Sequence, residues 1–219
     1  MPNSTKQQPP HYTPYSKPPH HHKNNQHQHT KTNNKTNNKT THSSNKNTYN
    51  RCWDWLLTGG NTHYARNRAT FSTYRRAPCK ISHRRVLGIG TVELTVQRAP
   101  NDPRPHKLTL HDVLHMPSAR CNGLSVDKYR EEHPGEDLRE VMVGGDGGQE
   151  MMQVVREGEE EALWFADEYC GCLRVVVWGD PQGESFLRGP EDGRLYGVSI
   201  IAGEREMQVL RERVALRGY

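Results

Sequence analysis

Apolar and polar residues alternate along the middle of the chain in short runs, the pattern of half-buried β-strands. The clearest case is residues 92–96, where Val92, Leu94 and Val96 would share one face. Residues 108–110 and 113–114 indicate two further strand pieces, and residues 101–105 before them indicate an exposed loop. Strands this short and this close together predict a mainly β fold, a small barrel or sandwich, which begins near Arg51.

Beyond residue 126 the pattern changes. Residues 127–162 are acidic and glycine-rich, with a flexible turn expected at residues 144–148, and residues 173–178 and 196–201 are strand candidates around a turn at residues 179–183. Residues 204–217 predict an amphipathic helix that packs on the sheet, because strong helix formers alternate there with apolar side chains. These apolar residues are Met207, Val209, Leu210, Val214 and Leu216. Residues 51–126 are therefore interpreted as the barrel, and residues 127–219 as an α+β C-terminal extension packed on it.

Residues 1–50 form a low-complexity tail rich in Asn, Thr, His and Lys, with almost no aliphatic side chains. Such a segment buries too little apolar surface to offset its chain entropy, so we expect it to be disordered. It contains seven lysines and no Arg, Asp or Glu, whereas the rest of the chain carries 23 basic and 25 acidic residues. Salt-sensitive nucleic-acid binding by this tail is one hypothesis, although the tail has no arginine.

The five cysteines are odd in number and irregularly spaced, and the N-terminus lacks the apolar region of a secretory signal. Reduced thiols in an intracellular protein, cytoplasmic or nuclear and not secreted, are the expectation. The chain has no apolar run long enough to span a bilayer, so no membrane association is expected. The tail histidines His20, His21 and His22 could bind a transition metal loosely, but a polar tail rich in histidine is the favoured interpretation. The Cys-x-Cys pair at Cys170 and Cys172 lacks matching ligands at metal spacing, and no metal or cofactor is expected.

Residues 55–63 read Trp-Leu-Leu-Thr-Gly-Gly-Asn-Thr-His, which is the frame of an aspartic-protease active-site turn without its aspartate. Such a site activates one water between two carboxylates that share a proton. Without a carboxylate at the turn, that water has no general base. The missing aspartate therefore predicts a turn that has lost its catalytic chemistry.

Three blocks in the right order carry a family resemblance. The first runs from Trp55 through Thr58, Gly59 and His63 to Phe71, the second is the Gly-x-Gly strand at residues 88–94, and the third is Leu-x-Asp-Val-Leu-x-x-Pro followed by Asn-x-Leu-Ser at residues 110–125. Together they resemble the protease domain of Copia/Tnt-type retrotransposon Pol polyproteins, a retropepsin-like β-barrel. The family has an Asp before its Ser/Thr-Gly pair. Loss of one residue between Leu57 and Thr58 explains its absence, and substitution would have the same chemical result.

The resemblance implies roles for the degenerate turn and for one hairpin. The turn comprises Leu57, Thr58, Gly59, Gly60 and His63. The hydroxyl of Thr58 would brace the turn of a partner subunit across a dimer axis, and Gly59 would let the backbone turn tightly. Gly88 and Gly90 would lie in a hairpin near the cleft, or in an ordinary tight strand. For His63 a structural hydrogen bond is expected in place of an acid–base role.

Three functions follow as alternatives. The first is a retrotransposon-derived, non-catalytic barrel, either a relic or a binding module, with a homodimer through the barrel and a peptide in the cleft as its partners. The second is an active aspartic peptidase that uses a substitute acid such as Asp54 or Asp112. The third is nucleic-acid binding through residues 1–50.

Overall fold

The computed structural model describes residues 51–143, 148–179, 185, 187 and 198–217. Ten strands and two α-helices fall within these residues. The strands are β1 Trp55–Thr58, β2 Tyr64–Ala65, β3 Phe71–Ile81, β4 Arg84–Ala99, β5 Asp102–His115, β6 Asn122–Ser125, β7 Glu136–Val143, β8 Gln149–Arg156, β9 Ala162–Tyr169 and β10 Cys172–Val175. The helices are α1 Val126–Glu132 and α2 Glu204–Leu216, and a 3-10 turn spans Arg68–Thr70. The fold is mainly β, as predicted from the sequence.

All ten strands belong to one sheet in the order β3-β4-β5-β2-β6-β1-β10-β9-β8-β7. The pairs β1/β6 and β2/β5 are parallel, and the other pairs are antiparallel. The sheet curls until β4 meets the residues that follow β10, where Val96 and Val177 form an antiparallel bridge. Two backbone hydrogen bonds, from Gln97 to Val176 (3.0 Å) and from Trp178 to Thr95 (2.9 Å), close this seam.

Two apolar clusters account for most of the buried surface. The larger lies inside the curled sheet around Trp55, Trp164 and Tyr129, each at most 1% exposed. Burial of side chains this large contributes about 2–3 kcal/mol each relative to exposure. The second lies between the β3–β4 hairpin and α2, and Leu210 of α2 is fully buried in it. The amphipathic helix predicted at residues 204–217 is confirmed, although Leu216 at its end is 80% exposed.

The alternating residues 92–96 lie in β4, as predicted, but the next segment differs from its prediction. Residues 108–110 and 113–114 belong to one strand, β5, interrupted by a register shift at which Asp112 adopts a positive φ of 48°. Residues 101–105 are mostly exposed, as predicted, but residues 102–105 belong to a strand and not to a loop. Ala99 pairs with Asp102, so the turn is only two residues long and both prolines of this segment lie in β5.

The acidic region 127–162 contains α1, β7 and β8, which its composition did not predict. Of the turn predicted at residues 144–148, all but the last residue lie outside the described residues, as does the tail 1–50. The strand predicted at 173–178 ends at Val175 and continues only as the Val177 bridge. The strand predicted at 196–201 is not formed over its described part, residues 198–201. Strands from both sides of residue 126 share the one sheet.

Candidate functional site

The glycine-rich turn follows β1, which lies in the middle of the sheet between β6 and β10. Thr58, the last residue of β1, is 3% exposed and donates its hydroxyl to the carbonyl oxygen of Leu124 at 3.3 Å. Leu57 pairs with Leu124 across the parallel β1/β6 ladder. Gly59 is exposed, and a Cβ built on it would meet nothing within 4 Å. The hydroxyl expected to brace a partner subunit is therefore engaged within its own chain.

Gly60 lies against the backbone of Ile200, 140 positions later in the sequence. A Cβ built on Gly60 would meet the oxygen, nitrogen and carbon of the Ile200 backbone at 2.2, 2.6 and 2.8 Å. Real Cβ atoms do not approach backbone atoms so closely, so only glycine fits here without displacing the neighbouring segment. The turn and residues 198–202 are therefore in direct backbone contact.

Residues 61–64 hold this C-terminal segment through its peptide groups. Asn61 donates its backbone N–H to the Ile200 oxygen (3.1 Å), and its side chain both donates to the Ala202 oxygen (3.0 Å) and accepts from the Ala202 N–H (2.7 Å). Thr62 donates its hydroxyl to the same Ile200 oxygen at 3.3 Å. The phenol of Tyr64 donates to the Val198 oxygen at 2.5 Å. Every one of these bonds engages the main chain of the segment, and none depends on its side chains.

His63 lies at the inner end of the turn and is fully buried. Its Nδ1 accepts a hydrogen bond from the backbone N–H of Ser125 at 2.9 Å, which places the proton of the neutral ring on Nε2. Nε2 lies 3.4 Å from a carboxylate oxygen of Glu132 in α1, and the other oxygen of Glu132 pairs with Lys128 at 2.7 Å. His63 thus connects the turn to both ends of the helix.

This arrangement is not a nucleophile–base pair, although it contains a serine, a histidine and a glutamate. The atom of Ser125 that contacts His63 is its backbone nitrogen. The hydroxyl of Ser125 donates to the Gly60 oxygen and accepts from the Lys128 N–H at 3.1 Å, which makes Ser125 the N-cap of α1. A catalytic serine would present its hydroxyl to the imidazole, so the geometry is structural.

The charges around His63 make the fold sensitive to acid. Burial lowers the pKa of His63 from 6.5, and the neighbouring Glu132 opposes this only in part. Burial alone would raise the pKa of Glu132, but His63 and Lys128 outweigh it and lower that pKa to about 2. In both cases the unfolded chain binds protons at a pH where the folded chain does not.

We therefore expect the urea midpoint to fall as the pH is lowered through 6.5, and to fall again below about 4.5, where unfolded glutamates take up protons. His106 and His115, whose pKa values are also lowered by burial, act in the same direction. Urea unfolding between about pH 8 and about pH 2.5 measures both steps, and the Glu132→Gln variant should reduce the second step, to which Asp102 also contributes. A midpoint that stays constant to pH 5 would contradict this assignment.

Gly88 and Gly90 lie in β4 where the edge strand β3 crosses closely. A Cβ on Gly88 would meet the Arg75 oxygen at 2.4 Å and the Tyr74 ring at 2.7 Å, and a Cβ on Gly90 would meet the Thr73 oxygen at 2.0 Å. Tyr74 lies over Gly88 and bonds His115 across the sheet at 2.9 Å. The two glycines therefore allow close strand packing, and Gly90 also borders a cleft of about 420 Å³ beside α2.

The two substitute acids lie in different environments. Asp54 is 5% exposed, accepts from the Ser185 hydroxyl at 2.7 Å and faces Arg174 at 3.6 Å, so both of its oxygens have partners. Asp112 is exposed and lines a cleft of about 370 Å³ together with Asn61 and Thr62. The structure thus brings Asp112, but not Asp54, to the side of the turn that opens to solvent.

Four cysteines that are scattered along the sequence share one apolar cluster, a grouping that their spacing did not reveal. Cys52 and Cys121 are each 1% exposed, and Cys170 and Cys172 pack against them around Leu56. Burial raises the pKa of Cys52 to about 11 and that of Cys121 to about 12, so both remain thiols at neutral pH. Within the described part of the chain, no group of three or more metal-binding side chains is placed to hold an ion.

The described part of the chain is thus a curled, mainly β structure in which residues 57–63, the glycine-rich turn, carry no carboxylate. The family model of the Pol polyprotein, beta-barrel domain, matches residues 55–133. This match covers about a third of the chain, from β1 to the end of α1, and supports an origin of this domain in a Pol polyprotein. No curated protein and no solved structure matches the chain. Among the described residues, no helix is both long enough and apolar enough to cross a membrane.

Proposed function

We propose that this protein is a non-catalytic module derived from a Copia-type retrotransposon protease, whose former active-site turn binds an extended peptide. The observation that carries this proposal is the contact between residues 60–64 and residues 198–202, made through main-chain groups of the segment. In strand-addition modes of peptide binding, main-chain hydrogen bonds of this kind supply the affinity, and pockets for side chains such as Ile200 supply the specificity. Residues 198–202 of the same chain occupy this position beside the turn, which supports the proposal.

The engagement of the turn's polar groups supports the absence of catalysis. Residues 57–63 contain no carboxylate, the hydroxyl of Thr58 bonds Leu124, and the imidazole of His63 bonds Ser125. A water at this turn would find no general base within it. The competing function is a peptidase that uses Asp112, the one substitute acid that lines the cleft beside the turn.

A peptidase assay of the full chain separates the two. We expect no cleavage of a retropepsin peptide substrate at any pH from about 4 to 7, because loss of the dyad removes most of a barrier reduction of at least ~8 kcal/mol. Cleavage that pepstatin blocks and that Asp112→Asn abolishes would identify an active enzyme. A variant with Asp inserted between Leu57 and Thr58 shows whether the carboxylate alone is missing.

Peptide binding is tested with a variant in which residues 198–202 are held less tightly at the turn. Ala202→Pro removes the N–H that Asn61 accepts, so residues 198–202 should compete less with a peptide supplied in solution. An intramolecular ligand has an effective concentration of the order of millimolar, so the unmodified chain should bind a labelled Val-Ser-Ile-Ile-Ala-Gly peptide only weakly. We expect Ala202→Pro to bind it at least about tenfold more tightly by fluorescence anisotropy.

The control for this measurement is a second substitution at the turn. Adding Gly60→Val to Ala202→Pro places a branched side chain where the peptide backbone would lie, and binding should be lost. A scrambled peptide of the same composition should bind more weakly, because it keeps the peptide-group contacts but loses the burial of Ile200 and Ala202, which are 1% and 6% exposed. If Ala202→Pro binds no better than the unmodified chain, the turn is not a peptide site.

The partners and the location of the module are part of the same proposal. A homodimer through the turn would need residues 198–202 to leave Gly60, so we propose that peptide binding and dimerisation at the turn exclude each other. We also propose an intracellular location, which the five free cysteines support, two of them buried as thiols.

A further inference from the structure

Residues 55–92 contain seven basic residues and no Asp or Glu. The basic residues are Arg66, Arg68, Arg75, Arg76, Lys80, Arg84 and Arg85. Because the chain beyond residue 50 is nearly neutral overall, this segment concentrates positive charge in one part of the fold. Six of the seven are arginines, whose planar, forked donors suit phosphate oxygens better than the point charge of lysine does.

The charge lies along one edge of the sheet. Strand β3 is the edge strand and carries Arg75, Arg76 and Lys80, all exposed. Lys80 pairs directly with Arg85 of β4, which is also exposed. Arg68 lies just before β3 and stacks over the Tyr74 ring at 4.0 Å. Like charges directly opposite each other in a ladder destabilise it, so this arrangement costs stability unless an anion is bound.

These side chains lack the carboxylate partners that basic residues have elsewhere in the fold. Within the described residues no ion pair involves Arg68, Arg75, Arg76, Lys80 or Arg85. In contrast, Arg98, Arg104, Lys107, Arg139 and Arg156 each face a carboxylate within 4 Å. Glu206 of α2 does reach the β3–β4 hairpin, where it accepts from the Ser82 N–H at 2.9 Å. We call the surface formed by the five exposed, unpaired residues the basic edge.

Negative charge lies at the opposite edge of the sheet. Residues 127–168, which form α1 and strands β7 to β9, contain 14 acidic and four basic residues. Strand β7 ends the sheet order at the far side from β3. The basic and acidic residues are therefore separated along the sheet order, and a polyanion should bind the basic edge in preference to β7.

We propose that the basic edge binds the phosphodiester backbone of a nucleic acid. An 11-residue edge strand is about 35 Å long, close to one turn of a duplex or a comparable length of single strand. Arg75, Arg76, Lys80 and Arg85 contact phosphates along this length, and Arg68 extends the row beyond the start of the strand. Contacts of this kind position a nucleic acid without reading its sequence.

Charged side chains on an edge strand also discourage pairing with another sheet. That role accounts for a lysine or arginine on β3. It does not account for Arg85 on the inner strand, for Arg68 outside the sheet, or for the absence of any carboxylate across residues 55–92. The acidic edge of a second copy is a different partner of the right charge, and the experiment below distinguishes it from nucleic acid.

The test measures binding of the full chain to labelled single-stranded RNA and to single-stranded and duplex DNA of the same sequence, by fluorescence anisotropy over a range of NaCl concentrations. Replacing Arg75, Arg76, Lys80 and Arg85 together by Gln should weaken binding by about a hundredfold or more at low salt and reduce the slope of log K against log salt by about 3. The affinities for the three nucleic acids show whether the protein prefers single-stranded RNA, single-stranded DNA or duplex DNA. Because these side chains are exposed and unpaired, the thermal midpoint should change little.

The matched control replaces Arg98, Arg104, Arg139 and Arg156 by Gln, which removes the same charge from residues that face carboxylates. It should change affinity less than about threefold, since such side chains gain little from a distant phosphate. A variant with all seven tail lysines replaced by Gln tests the tail. Three results would overturn the proposal: no binding of the natural chain at low salt, binding lost only in the tail variant, or self-association at low salt that the basic-edge substitutions abolish without any nucleic-acid binding.

Discussion

Replacing Gly60 by alanine is expected to destabilise the protein by about 2–3 kcal/mol, a large effect for the addition of one methyl group. The new Cβ would lie within 3 Å of three backbone atoms of Ile200, none of which belongs to a flexible side chain. Relief requires residues 198–202 to move away from the turn. That movement breaks hydrogen bonds to Asn61, Thr62 and Tyr64, because all of them hold the same short segment.

Urea unfolding of the full chain measures the loss of stability, and hydrogen exchange shows where it acts. We expect the amides of residues 198–217 to exchange faster in Gly60→Ala, while those of β4 and β5 keep their protection. The neighbouring Gly59→Ala is the matched control, because its Cβ meets nothing within 4 Å and should change stability by no more than about 0.5 kcal/mol. Equal effects of the two substitutions would show that the Ile200 contact does not hold the segment.

Sequence patterns predicted the elements that are locally encoded. The alternation at residues 92–96 lies in β4, and the helix formers after Gly203 form α2, since each pattern depends only on near neighbours. Strand β7 was missed because Glu, Asp and Arg interrupt its apolar residues, which an edge strand half exposed to solvent tolerates. A loop was expected at residues 101–105 because of the two prolines, but these residues begin strand β5. Pro103 and Pro105 lie next to the turn of the β4–β5 hairpin, where a strand tolerates proline better than in the middle of a sheet.

Sequence patterns predicted only part of the candidate site. The motif located the turn and singled out His63. The segment that contacts the turn comes about 140 residues later, and its apolar pattern predicted a strand and not this contact. Residues 198–202 form no strand, and their backbone groups are satisfied by side chains and turn amides. The segment buries Ile200 and Ala202, but two apolar residues do not identify the part of the chain that they contact. The proximity of Cys52 and Cys121 could not be predicted from the sequence either, because it results from the parallel pairing of β1 with β6.

Both sides of the turn are therefore engaged within the chain. On one side the hydroxyl of Ser125 bonds the Gly60 oxygen, and on the other the Asn61 amide bonds Ile200. A retropepsin-type protease needs its turn open to a substrate and to a second copy of the chain. The two carboxylates that meet there repel each other, which lowers the stability of the fold. A turn without carboxylates has no such cost, and its polar groups can stabilise the fold instead. The proposed absence of catalysis and the internal contacts of the turn are therefore physically compatible.

Replacing His63 by leucine is expected to destabilise the protein by about 2–3 kcal/mol. Leucine fills a similar volume, but it leaves the buried N–H of Ser125 without an acceptor and takes the imidazole away from Glu132. His63→Asn is the informative companion, because its side-chain oxygen can occupy the position of Nδ1 and accept from Ser125. We expect His63→Asn to be less destabilised than His63→Leu, despite its smaller volume.

The pH dependence separates the hydrogen bond from simple packing. In the natural chain, burial lowers the pKa of His63. As the pH drops below 6.5, this histidine is protonated in the unfolded chain but stays neutral in the folded chain, so the free energy of unfolding falls. Both substitutions remove that contribution, so their stability difference from the natural chain should shrink between pH 8 and 5. Urea midpoints of the three proteins across this range provide the measurement. If leucine proves as stable as histidine at pH 8, the Ser125–His63 hydrogen bond contributes nothing to the fold, and another reason for a histidine at this turn must be sought.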